Sequence, residues 1–359
     1  MTLAANATRL RLPPMAIVIP VATTALTLLL GLALIDVTGV PIGDALDAFA
    51  NGAFGSGYVI AASINRAVVY TLVALGFIVA ARANLTNVGG EGQIAEGGIV
   101  ATAVALYGGV KNLPFGLALL LPVAAATLAG AAWGAVPGFL KVKAGTNEVI
   151  STLLLTFIGI WLLYWSVQSV DLLRRPMTTT ATLPESLEIP DATKLPLLLG
   201  DPSTPLNIGL PITLVLVCAV WLVLSRTVFG WQLWAVGLNE LAARRAGIAH
   251  ARIIVAAMAL AGGFGGLAGA TMLLGDQYLL KVGFSSGYGF DGLVIGLLAR
   301  GSTLGVIAGA LLFGFLRSGG INMEMVAQVP SAIVMVIQGL IVVTLAAMAF
   351  WLERAKSAR

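Results

Sequence analysis

Seven stretches of mostly apolar residues recur along this chain, each close to the roughly 20 residues a helix needs to cross about 30 Å of hydrocarbon. They are Met15–Ile35, Ala67–Ala83, Gly116–Leu140, Ile150–Trp165, Ile208–Leu224, Ile253–Gly275 and Ser331–Leu352. Three shorter apolar segments, Ile94–Gly108, Gly292–Ala299 and Leu304–Arg317, lie among them and cannot span unaided. The expected fold is all-α: a polytopic transmembrane helical bundle of about ten membrane elements, some short or broken. Charged residues make up only 10% of the 359 positions and hydrophobic ones 58%, whereas a soluble domain carries about a quarter charged residues. Soluble and disordered chains are therefore excluded. The 43 glycines follow no collagen-like period and mark close helix packing or helix breaks. A single Cys218 allows no internal disulfide, and a single His250 excludes a His-rich metal site or proton relay. The first apolar stretch is too long for a cleaved signal peptide and reads as a retained span.

Basic residues set the orientation. With the N-terminus inside, Arg66, Lys111, Arg174, Arg175, Lys194, Lys281 and Arg317 fall outside, and the other 13 of the 20 basic residues fall inside. An even number of crossings then returns the C-terminus to the cytoplasm. The long connection Ser166–Asn207, with Asp171, Glu185, Glu188, Asp191 and Asp201, reads as an external loop or small cap. Ser225–Arg252 is the long cytoplasmic connection, within a single membrane domain covering residues 1–359. The net charge of +4 reflects this topology and implies no nucleic-acid partner; the partner on composition is membrane lipid.

Polar groups at membrane depth are costly and need partners or water. Asn87-Val-Gly-Gly-Glu-Gly-Gln holds Asn87, Glu91 and Gln93 around three glycines that break the helix. It reads equally well as a broken-helix element near a translocation route or as a turn whose Glu91 favours the positive end of its own helix. Gly289-Phe-Asp-Gly repeats the pattern Gly-x-acid-Gly, with Asp291 where the first motif has Glu91. The pair suits an inverted repeat of five plus five elements, although N-capping accounts for Asp291 alone. In Gly145-Thr-Asn-Glu-Val-Ile-Ser-Thr, capping by Thr146 or Asn147 explains most of the pattern. Gly262-Gly-Phe-Gly-Gly-Leu-Ala-Gly-Ala is a small-residue face suited to tight helix packing. The sequence contains no P-loop, zinc spacing or nucleophile elbow. An enzyme is not expected, and ATP hydrolysis would have to come from elsewhere.

These motifs stand in order with Phe229-Gly-Trp-Gln-Leu-Trp-Ala-Val-Gly-Leu-Asn-Glu-Leu-Ala-Ala-Arg-Arg-Ala-Gly-Ile and with the rest of the second glycine motif, Leu293-Val-Ile-Gly-Leu-Leu-Ala-Arg. Together they resemble permease subunits of bacterial ABC importers of the branched-chain amino acid/ribose-type superfamily, in particular the nucleoside and simple-sugar permeases. The resemblance runs from about Val68 to the last span. It departs where Leu85-Thr86 precedes Asn87-Val88, in place of the frequent Phe-Asn before Ile-Gly.

The resemblance implies a permease in the bacterial inner membrane with both termini cytoplasmic. It implies a second permease subunit, homologous or identical, and a cytoplasmic ABC ATPase that carries ATP-Mg, with no cofactor in this chain. A periplasmic or lipid-anchored solute-binding protein would deliver substrate. The coupling helix would comprise Asn239, Glu240, Ala242, Ala243, Arg244, Arg245, Gly247 and Ile248, with Ala242 and Ala243 against the ATPase. Residue types suited to a neutral polyhydroxylated solute are Asn87, Gln93, Asn147 and Phe290, with Trp161 and the acids Glu91 and Asp291 at the glycine breaks. The competing reading is an ion-coupled secondary transporter of a small polar solute, which would want carboxylates in mid-membrane.

Overall fold

The computed structural model describes residues 14–178, 183–330, 332–341, 343, 344 and 347. Its helices are α1 (Pro14–Val37), α2 (Ile42–Phe54), α3 (Gly57–Arg82), α4 (Gly90–Tyr107), α5 (Phe115–Ala144), α6 (Glu148–Gln168) and α7 (Gly209–Arg226). Then follow α8 (Val228–Leu238), α9 (Glu240–Arg245), α10 (His250–Met272), α11 (Tyr288–Ala299), α12 (Thr303–Val326) and α13 (Ala332–Ile341). Among the described residues there is no named strand, only three isolated β-bridges.

The all-helical bundle agrees with the sequence, but among the described residues fewer helices are long enough to cross than the ten or so elements expected. Among the described residues six helices, α3, α5, α6, α7, α10 and α12, are long and apolar enough to span, and α1 with α2, bent by 113° at their break, would make a seventh. The shortfall is one of length: the 12 residues of α11 rise only about 18 Å. Two readings change. The segment Leu304–Arg317 is part of a 24-residue helix, α12, which is long and apolar enough to span by itself. Within the connection 225–252, Val228–Leu238 is an apolar helix of 11 residues. The expected span Ser331–Leu352 lies partly outside the described residues, as do the basic residues of both termini.

The chain divides into two compact units, residues 1–52 with 319–359, and residues 53–318. In the first, Ile35, Ala45, Ala48, Met323 and Val329 form a small apolar core, and Asn322 Nδ2 donates to the Ala48 carbonyl at 2.6 Å.

The second unit is built around α10, packed on α5, α3 and α4. Its small-residue face behaves as the sequence suggests. Gly262 and Gly266 lie directly on the backbone of α5 at Gly130 and Gly134, and a Cβ on Gly130 would stand 2.6 Å from the Gly266 Cα. Gly269 meets the backbone of α4 at Ile94 and Gly98 in the same way. Such approach is possible only where side chains are absent.

The acidic segment after α6 folds as a cap over the adjoining ends of α3 and α10. Ser186 N–H donates to the Leu280 carbonyl, Ile189 N–H to Tyr278 and Leu195 N–H to Leu274, at 2.7–2.9 Å. Asn65 Nδ2 donates to Pro205 O at 2.6 Å, and Asn207 Nδ2 to Gly275 O at 3.1 Å. Lys194 sits between Asp191 and Glu188 at 2.7 and 2.6 Å. Their hydrogen bonds hold its ammonium above the usual lysine range.

Candidate functional site

The two glycine breaks, 200 residues apart in sequence, meet in the structure. α3 ends at Arg82, and the chain turns through Asn84 before α4 begins at Gly90. The break between them satisfies itself. Asn87 Oδ1 accepts from Gly89 N–H at 2.9 Å and from Gln93 Nε2 at 3.2 Å, while Asn87 Nδ2 donates to Gln93 Oε1 at 3.1 Å. Val88 N–H donates to Thr152 Oγ1, and Thr156 Oγ1 donates to the Val88 carbonyl, tying the break to α6 at 3.2 and 3.3 Å. The irregular backbone at Val88 and Gly89 is thus paired with protein groups.

Glu91 does not serve its own helix. Its carboxylate reaches the start of α11 and accepts from Gly287 N–H and Gly289 N–H, both at 2.6 Å. Gly287 itself lies in the left-handed region, with φ +89°, a turn that glycine adopts without steric cost. An anion on two orphan N–H groups of a helix start is favoured by hydrogen bonding and by the helix dipole together. The helices are close enough at this point that Gly90 and Gly289 touch, and a Cβ on Gly289 would overlap the Glu91 backbone nitrogen. Gly292 sits against Val73 of α3, where a Cβ would fall 2.5 Å from Val73 Cγ1, and Gly92 lies on the α6 backbone at Thr156.

Asp291 is not an N-cap, since Gly287 takes that position. Its Oδ2 instead accepts from Tyr70 Oη of α3 at 3.0 Å. Tyr70 stacks on Tyr288 with ring centroids 4.6 Å apart, and Phe313 of α12 packs edge-on against Tyr70. Arg317 lies over the Tyr288 ring at 5.8 Å and donates from Nη2 to Ser286 O at 3.1 Å. Arg66 donates from Nη1 to Ser318 Oγ at 2.8 Å. The sequence reading placed Arg66 and Arg317 in external connections. Both lie within helices, α3 and α12, and belong to the cluster around the junction. Tyr70, Tyr288 and these two arginines are the residues it missed. The available signal was a basic residue inside an apolar run long enough to be one helix.

The other expected pathway residues are scattered. Asn147 caps α6, its Oδ1 accepting from Val149 and Ile150 N–H at 2.9 and 3.3 Å, beside the Lys141–Glu148 ion pair at 2.6 Å. Phe290 is partly exposed on α11, and Trp161 is 68% exposed on α6. No group of three metal-ligating side chains occurs among the described residues.

The expected coupling segment forms a capped one-turn helix. Asn239 Oδ1 accepts from Ala242 N–H at 2.9 Å at its start. At its end Gly247, φ +82°, turns the chain so that Ile248 N–H donates to the Ala243 carbonyl at 3.0 Å, a Schellman termination. Asn239, Gly247 and Ile248 therefore build the helix. Ala243, expected to face a partner, is only 4% exposed and is packed within this chain. Glu240, Leu241, Ala242, Arg244 and Arg245 are exposed.

Residues 59–346 match the family described as the permease component of branched-chain amino acid transport systems. The chain belongs to this permease family. It is 31% identical to the guanosine ABC transporter permease protein NupP of Bacillus subtilis, over 92% of this chain and 93% of that protein. It is 36% identical to the glucose ABC transporter permease protein TsgB13 of Haloferax volcanii, over 78% and 74% of the two chains, and 33% identical to the nucleoside permease NupB of Lactococcus lactis, over 73% and 74%. No solved structure matches. As a permease the chain is the multi-pass translocation subunit of an ABC importer, which works with an ATPase and a solute-binding protein. Membership of the permease family decides against the secondary-transporter alternative, and ATP hydrolysis belongs to the partner.

Proposed function

We propose that this permease carries nucleosides or simple sugars, and that the junction of its two glycine breaks borders their route. The reading rests on the likeness to the guanosine permease, which runs nearly end to end through both chains. The chemistry of the junction supports it. Glu91 and Asp291 are already engaged by Gly287, Gly289 and Tyr70, so what the region offers a solute is hydrogen bonding and aromatic surface rather than a fixed charge. Asn87, Gln93, Asn147 and Phe290 supply these groups. The transporter pairs this chain with a homologous or identical permease. ATP-Mg sits on the cytoplasmic ATPase, and the exposed face of α9 meets that ATPase. Substrate arrives on a periplasmic or lipid-anchored binding protein.

The test is uptake by proteoliposomes holding the permeases, the ATPase and the binding protein, with labelled guanosine, glucose and leucine in parallel. Guanosine or glucose uptake that requires ATP is expected. Uptake of leucine alone would remove the proposed substrate class.

In the inner membrane we place both termini in the cytoplasm and the cap outside. A reporter inserted at Pro190 then reports the periplasm, and reporters fused to either end report the cytoplasm. A cytoplasmic signal at Pro190 would reverse the orientation.

A further inference from the structure

Where α4 and α6 leave the glycine junction they touch backbone to backbone: a Cβ on Gly159 would stand 3.0 Å from the Gly92 Cα. Farther along both helices, toward the cap, a cavity of about 380 Å³ opens between them, within the range of small-molecule sites. Glu96, Ile99, Ala103 and Tyr107 line one wall, at spacings of three and four that put them on one face of α4. Leu162 and Trp165 of α6 form the other, and Asp171, near the start of the cap, stands at the mouth.

Glu96 lies one turn beyond the Gly92 contact, about 6 Å along α4, and so at the narrow end of this cleft. Its Oε1 is buried and accepts no hydrogen bond from any described residue. Buried acceptors are nearly always satisfied, so one left open calls for a donor from outside the chain. No lysine, arginine or histidine lines the cavity to supply it. A metal ion is not served either, since no three ligating side chains converge among the described residues. The remaining wall is apolar and aromatic, with the rings of Tyr107 and Trp165 each 61% exposed. Asp171 is exposed, and a carboxylate at the mouth keeps that end in water rather than in lipid.

We propose that this cleft takes the base of a purine nucleoside whose edge carries two adjacent N–H donors, as guanine does. Those donors meet the Glu96 carboxylate, and the ring surface lies on the aromatic side chains. The site presupposes a nucleoside or sugar permease and narrows that class to the nucleosides. Bases are read by hydrogen bonds to their edge and by stacking on aromatic rings. A sugar presents hydroxyls on every side and needs donors as well as acceptors, which this wall lacks. Adenine sets an acceptor nitrogen beside its amino group, and that nitrogen repels a carboxylate. Asp171 is left to accept from a ribose hydroxyl.

The experiment is equilibrium binding of radiolabelled guanosine to the purified transporter, both permeases with the ATPase and without a solute-binding protein, competed with adenosine and with glucose. The wild type binds guanosine saturably and prefers it to adenosine, and glucose does not compete. Glu96→Gln keeps the shape but turns one acceptor into a donor. Guanosine binding then weakens roughly tenfold or more, and adenosine, whose edge pairs with an amide, gains. The same variant melts no lower than the wild type, because Oε1 has no partner to lose. Trp165→Ala weakens both nucleosides alike, by roughly tenfold. An unchanged order of guanosine and adenosine in folded Glu96→Gln overturns the proposal. So do a lack of saturable guanosine binding, a preference for adenosine or competition by glucose in the wild type, whatever the variants do. Proteoliposome uptake separates the two levels of failure. ATP-driven glucose uptake without guanosine uptake overturns this site and leaves a sugar permease, whereas uptake of leucine alone removes the substrate class itself.

Discussion

Glu91→Gln lowers ATP-driven uptake at least about tenfold and the melting temperature of the purified protein by several degrees. The carboxylate accepts two N–H donors at the start of α11 at 2.6 Å each. Hydrogen bonds to a charged group contribute about 1.5–3 kcal/mol each. A carboxamide keeps one acceptor but turns its amino group toward the other N–H, which leaves a donor unpaired where Gly289 is buried. The touching glycines allow no adjustment, because Gly90 and Gly289 are already in contact. Glu91→Asp preserves charge while withdrawing it by one methylene, and falls between the two. Thermal melting and proteoliposome uptake are the measurements. Wild-type values of both for Glu91→Gln would show that the carboxylate does not hold the two breaks together.

A charge placed on the exposed face of α9 separates coupling from folding. Ala242→Glu leaves the chain folded and inserted, since Ala242 is exposed, but abolishes ATPase co-purification and ATP-driven uptake together. An unpaired charge desolvated in such a contact costs on the order of several kcal/mol, enough to reduce association more than about a hundredfold. Ala243→Glu, one residue on, behaves differently. Its side chain is packed inside this chain, so it lowers thermal stability and membrane abundance whether or not a partner is present. Normal ATPase association with Ala242→Glu would assign this face of α9 to solvent.

The spans, the small-residue face of α10 and the capping of α6 by Asn147 were legible in the sequence, because each depends on residue type at short spacing. The glycine breaks were visible too, but their meeting was not. Nothing local in Gly89-Gly-Glu-Gly indicates that Glu91 serves a helix 196 residues away, since the same acid at the same place would also favour its own helix start. Asp291 is the converse: its position suggests a cap, and the tertiary fold gives it to Tyr70. In the sequence, the charges of Arg66 and Arg317 look like the ends of spans, although both residues lie within helices. Inside a bundle, an aromatic face and a hydroxyl can hold a guanidinium within a helix. The 11 residues of α8 escaped notice for being too short to cross.

The contact of Gly237 with Arg82–Asn84 makes α3 a lever. The proposed coupling segment α9 follows α8 after the single residue Asn239, and α8 bears on the end of α3 without an intervening side chain. From Arg82, uninterrupted helix leads back to Val73, against Gly292, and to Tyr70, which holds Asp291. That is about 18 Å of rod for the 12 helical steps from Tyr70 to Arg82. A helix of this length transmits axial and tilting displacement with little loss, because its hydrogen bonds resist compression at every turn. Under the proposed coupling role of α9, a displacement there would reach the glycine junction through one solid element, with Gly237 as the point of contact.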